Sequence, residues 1–117
     1  MVEGGELSHV YVAGRTAVTE TGELVGAGDM RAQTRQVCEA VKACLMYVGA
    51  GFSDLVRVVT YTNDVEAHLK NWDVRMEYFT EEPPTHSLLG ISRFAHPEVM
   101  VELEVEAVLE TARLRLP

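Results

Sequence analysis

Residues 99–109, VMVELEVEAVL, alternate with a strict period of two. Val99, Val101, Leu103, Val105, Ala107 and Leu109 are apolar, and Glu102, Glu104 and Glu106 stand between them. Successive side chains of a strand point to opposite faces, so this pattern predicts one long strand with one apolar face. A strand buried on both faces would be apolar throughout, whereas an antiparallel sheet covered on one side alternates. The other face then carries three carboxylates about 6.8 Å apart. That face is wet, borders a site or meets a partner chain, and function is expected beside it.

The remaining segments can be fitted around this strand. Residues 7–13 (LSHVYVA) read as a strand followed by Gly14-Arg15, and residues 16–18 as a short second strand leading to a turn at Gly22. Asp29 suits the N-cap of a helix running to Val48, because Thr34, Val37, Val41, Cys44, Leu45 and Val48 make one stripe. Gly49 and Gly51 stop it. Residues 56–62 (VRVVTYT) are rich in β-branched side chains and predict a strand. Asn63-Asp64 cap a second helix over 65–79, with Val65, Leu69, Trp72, Met76 and Phe79 as its apolar stripe and Trp72 in the core. Glu81-Glu82-Pro83-Pro84 ends that helix, residues 85–93 form a strand, and Arg113 and Arg115 belong to an unstructured tail. The order is β-β-α-β-α-β-β in a single domain over 1–117: an α+β layer of one mainly antiparallel sheet with two helices on one face.

Chemistry is sparse at this level. The formal charge of −8 with only 10 scattered Lys and Arg disfavours a nucleic-acid partner. No apolar run reaches the roughly 18 residues of a membrane span, and MVEGGELSH lacks the basic and apolar regions of a signal peptide. Cys38 and Cys44 read as reduced thiols, consistent with a cytoplasmic location. Among His9, His68, His86 and His96 no metal-ligand spacing occurs, and no phosphate-binding glycine loop or nucleophile elbow is present, so neither a metal nor a cofactor is expected.

Three runs in order, AQTRQ (32–36), PPTHS (83–87) and PEVMVELE (97–104), resemble the RidA/YjgF family of enamine/imine deaminases. The likeness spans about residues 10–109. It implies a chorismate-mutase-like fold and a homotrimer with small-molecule sites in clefts between subunits. In deaminating members an arginine after the proline-rich turn clamps the substrate carboxylate, and a glutamate on the last strand orients the attacking water. The glutamate corresponds to Glu102, or to Glu104 if the preceding loop is aligned two residues differently. The serine after the arginine corresponds to Ser87, and the arginine itself to His86. A neutral imidazole offers one donor and no charge, so His86 needs a raised pKa, for example from Glu102, to imitate the clamp. Arg15, after the first strand, is the candidate for a replacement cation. The asparagine frequent in the second helix corresponds to Trp72, and the tyrosine-bearing segment before the first strand is short, so three site positions depart from the 2-imino acid deaminases.

The resemblance thus implies a protein that hydrolyses or binds a small imine or enamine metabolite. Glu102 would be the catalytic base, and His86, Ser87 and Arg15 the substrate-binding residues. The alternative is a non-catalytic trimer that binds a small molecule or a protein.

Overall fold

The computed structural model describes residues 2–4, 6–80 and 83–116. The Glu81-Glu82 part of the proline-rich turn lies outside the described residues. Five strands, β1 (Val2–Gly4), β2 (Leu7–Arg15), β3 (Leu55–Thr62), β4 (Thr85–Gly90) and β5 (Val101–Glu110), form one sheet in the order β1-β2-β5-β3-β4. Helices α1 (Met30–Tyr47), α2 (Val65–Lys70) and α3 (Trp72–Met76) complete a mixed α+β fold. The pairs β1–β2, β2–β5 and β3–β5 are antiparallel. The pair β3–β4 is parallel, which needs the crossover that α2 and α3 supply.

The alternating strand lies at the centre of the sheet. Along β5 every odd position from Val101 to Leu109 is buried, while Glu102, Glu104 and Glu106 are half-buried on the other side. Leu103 and Val105 pack with Val37, Val41 and Leu45 of α1 in one apolar core. Asp29 caps α1 by accepting from Ala32 N at 3.0 Å. Inside the AQTRQ run the fully buried Gln33 donates from Nε2 to the carbonyls of Gly26 (3.1 Å) and Glu98 (2.8 Å). Its Oε1 accepts from Met100 N at 2.8 Å. Both functions of one amide are thus spent on fixing where β5 begins.

Several expectations are corrected. Residues 16–18 do not form a second strand: β2 runs on to Arg15, and only Val18 bridges back to Leu24. The second β element is supplied by Val2–Gly4. The helix expected over 65–79 breaks at Asn71, whose side-chain amide donates to Ala67 O at 2.8 Å. The break shifts the buried phase. Leu69 and Met76 of the expected stripe are 46% and 50% exposed, whereas His68, Val74 and Arg75 are buried. Trp72 is half-buried beside a surface cavity rather than in the core. Met46 and Tyr47, beside the apolar stripe of α1, are exposed.

The tail is also held. Residues Thr111–Arg113 make a 3-10 turn, Arg113 pairs with Asp54 at 2.8 Å, and Arg115 N donates to Val48 O. Gly49, at φ +85°, lies under this tail, where a Cβ would meet the Arg113 carbonyl at 2.4 Å. No helix among the described residues is long and apolar enough to cross a membrane.

Candidate functional site

The uncovered face of the sheet collects the carboxylates. Strand register sets Glu106 beside Arg57, Glu104 beside Val59 and Glu102 beside Tyr61. Two of the three glutamates are engaged: Arg57 approaches Glu106 at 3.5 Å, and the Tyr61 hydroxyl donates to Glu104 Oε1 at 3.0 Å. A shallow groove of about 300 Å³ opens between them, lined by Tyr11, Arg57, Glu104 and Glu106. Among the described residues no hydrogen bond or ion pair engages Glu102. Its carboxylate lies on the backbone of Gly14, where a Cβ would sit 1.9 Å from Oε1. Gly14 occupies the stretch between Val12 and Arg15 where the β2–β5 register slips, and a bulge with no side chain leaves this space.

Burial, and then the charge of Glu104, raise the Glu102 pKa above its ordinary value. A carboxylate that is half-buried, unpaired and raised in proton affinity is suited to take a proton from water. Glu104, tied by Tyr61, is the less free of the two. Because the atom that a Cβ would strike is the end of a flexible side chain, Gly14→Ala is expected to keep the fold and push the Glu102 carboxylate into water. Its titration, followed by side-chain carboxyl NMR, should then move down toward the ordinary glutamate value. An unchanged titration refutes this packing.

His86 and Ser87 are adjacent on β4 and so face opposite sides. The register pairs Ser87 with Val59, whose other neighbour is Glu104, and pairs His86 with Val58, on the helix-covered side. His86 Nε2 lies 3.1 Å from Thr60 Oγ1, and its ring is 5.4 Å from that of Trp72. Partial burial, and then the neighbouring Arg75, lower the His86 pKa. This overturns the expectation that Glu102 raises it, for the two side chains are separated by the sheet. At neutral pH His86 is an uncharged ring. Arg15 is exposed and pairs with Leu103 beyond the bulge, which sets it on the helix side. It lines an open groove with Gln36, Glu39 and Cys44. One chain therefore brings Glu102 and Ser87 to one face and His86 and Arg15 to the other.

Sequence reasoning missed the polar group under α2 and α3. His68 is fully buried, neither ring nitrogen has a partner among the described residues, and the ring lies edge-on to Trp72 at 5.8 Å. Arg75 is 3% exposed, and its guanidinium donates to Thr60 Oγ1. Nothing local marks these residues, because His and Arg between apolar helix positions read as a solvated face until the break at Asn71 turns them inward. No group of His, Cys, Asp and Glu among the described residues is placed to hold a metal ion.

Comparison with known proteins identifies the family. The sequence profile of the family described as Endoribonuclease L-PSP matches residues 6–109. A RutC family protein of Pyrococcus abyssi is 37% identical over 102 residues, covering 86% of this chain and 79% of that protein. The 3-aminoacrylate deaminase RutC of Acinetobacter baylyi is 30% identical over 94 residues, covering 80% of this chain and 74% of that protein. A crystal structure of a Rid family protein of unknown function from Yersinia pestis superposes with a TM-score of 0.80 at 36% identity, covering 86% of this chain and 78% of that one. With the fold, the profile and these relatives in agreement, this chain belongs to the RidA/YjgF family.

Proposed function

We propose that this protein hydrolyses a small imine or enamine metabolite, with Glu102 as the base that activates water and Ser87, His86 and Arg15 as substrate-binding groups. The observation that carries the reading is the Glu102 carboxylate, unpaired and half-buried over Gly14 with a raised pKa. Water adds to the electrophilic carbon of the protonated imine while Glu102 takes its proton. The resulting carbinolamine takes that proton back on nitrogen and expels ammonia, as the C–N bond breaks, the C=O bond forms and the hydroxyl proton passes to Glu102. An enamine enters the same path after protonation on carbon gives the imine. The relative from Acinetobacter baylyi named as an aminoacrylate deaminase supports this class of substrate.

The division of candidate residues between two faces supports clefts between subunits of a homotrimer, in which one copy contributes Glu102 and Ser87 and another the groups of its helix side. Tyr11 and Leu89, about half exposed on the open face at 52% and 47%, offer apolar surface for such a contact.

The test is the lifetime of 2-iminopropionate, generated in situ from alanine by an amino-acid oxidase with semicarbazide as the competing trap. The protein is expected to shorten that lifetime and lower semicarbazone formation at constant oxidase turnover. Should imines with and without a carboxylate both survive as long as in buffer, the hydrolytic reading fails, and a non-catalytic binding trimer replaces it.

A further inference from the structure

Beneath α2 and α3 lies a charge that no described residue neutralises. Arg31, Arg35, Arg57 and Arg113 each face a carboxylate at the surface, at 2.8 to 3.5 Å. Arg75 is 3% exposed and faces none. Its Nη1 donates to Thr60 Oγ1, its Nε has no hydrogen-bond partner, and its Cζ lies 4.7 Å from the Trp72 ring centroid and 5.0 Å from that of Phe79. Aromatic faces offset only part of what a guanidinium loses on leaving water. Burial lowers its pKa to about 10, which still leaves it a cation at neutral pH. An arginine held like this destabilises the empty protein and strengthens attraction for an anion that reaches it.

A path for such an anion exists. A cavity of about 50 Å³ is bounded by Trp72, Arg75, Phe79, Pro83, Pro84 and His86. That volume accommodates a group the size of a carboxylate, against about 30 Å³ for one water in the liquid. With Nη1 spent on Thr60, the Nε–Nη2 edge remains, and this edge meets a carboxylate through two parallel N–H bonds. Thr60 Oγ1 accepts from Arg75, so its own hydrogen serves His86 Nε2, and the neutral imidazole keeps its proton on Nδ1 as a third donor. The flat, mostly apolar walls of proline and aromatic rings favour a monoanion with an aliphatic body over a strongly hydrated dianion.

We propose that this cavity binds the carboxylate of a small aliphatic acid, with Arg75 as its counter-charge and His86 as a neutral donor. The counter-charge for this carboxylate thus comes from α3, while Arg15 lines a separate groove of the same chain. The inference stands on binding geometry alone and needs no turnover, so it is separable from the hydrolytic reading.

Trp72 is the one tryptophan of the chain, so its fluorescence reports on this cavity. Propionate titrated at constant ionic strength is expected to change that fluorescence saturably, while the uncharged isostere propionamide leaves it unchanged. Arg75→Met is expected to weaken propionate binding by at least tenfold, with Arg75→Lys in between. In the wild-type protein, which avoids any question of folding in the variants, the Arg75 Nε–H resonance should shift with propionate and stay in place with propionamide. Equal responses to acid and amide, an unmoved Nε–H at saturating propionate, or wild-type affinity in a folded Arg75→Met variant would each overturn the assignment.

Discussion

Glu102→Gln is expected to lower imine hydrolysis by about 10²–10⁴-fold while the protein keeps its melting temperature within a few degrees. The amide matches the carboxylate in shape, so it still lies over Gly14, but it takes no proton from water. Loss of one charge beside Glu104 relieves repulsion and does not harm the fold. Glu104→Gln, whose carboxylate accepts from Tyr61, is expected to cost less than tenfold. The wild-type rate should fall on the acid side as Glu102 is protonated. Because burial and Glu104 raise its pKa, that fall begins at a higher pH than for an ordinary glutamate. Measured kcat/KM for the two variants decides the matter: Glu102→Gln within threefold of wild type removes Glu102 as the base.

The second large effect is on stability in acid. His68 is fully buried without a partner among the described residues, and burial, followed by the charges of Arg75 and His86, lowers its pKa to about 4. Trp72 packs on its ring edge-on and supplies no counter-charge. The unfolded chain takes up a proton at this residue near pH 6.5, whereas the native chain refuses it until about pH 4. Stability from this group is therefore complete above pH 6.5 and is lost as pH falls through that window. The loss amounts to about 2–3 kcal/mol by pH 4.5. Urea unfolding at pH 7 and pH 4.5 is expected to show this decrease in the wild type and a decrease smaller by that amount in His68→Leu. If the two proteins lose the same stability, His68 is not the group responsible.

What could be read from the sequence follows from how far each determinant reaches along the chain. Alternation in β5 is a local property, and the buried odd positions and half-buried glutamates of residues 101–109 match it position by position. The cap at Asp29 and the α1 stripe are equally local. The second helix is not legible in this way, because its stripe assumes one unbroken screw: Asn71 resets the rotation, so Leu69 and Met76 face outward and Arg75 turns in. Strand order is set by pairing between distant segments, and no periodicity reveals that β5 lies between β2 and β3. The motif resemblance points to Glu102, His86 and Ser87, yet a linear motif does not say which face of a sheet each residue occupies. That came from the register of β3 with β4 and β5.

Gln33 bonds to the carbonyl of Glu98 and to the amide of Met100, on both sides of Val99. Counting toward Glu102 therefore starts at a point anchored in α1, and the irregular segment between β4 and that anchor adds nothing to it. Residues can be gained or lost in that segment over evolution, or grafted there by an engineer, while Glu102 stays on its own side of the sheet. A single-residue insertion after the anchor would instead reverse the strand and put Glu102 in the core. Relatives of this chain should accordingly vary in length before the position of Val99 and keep a constant spacing from there to the last glutamate of the strand.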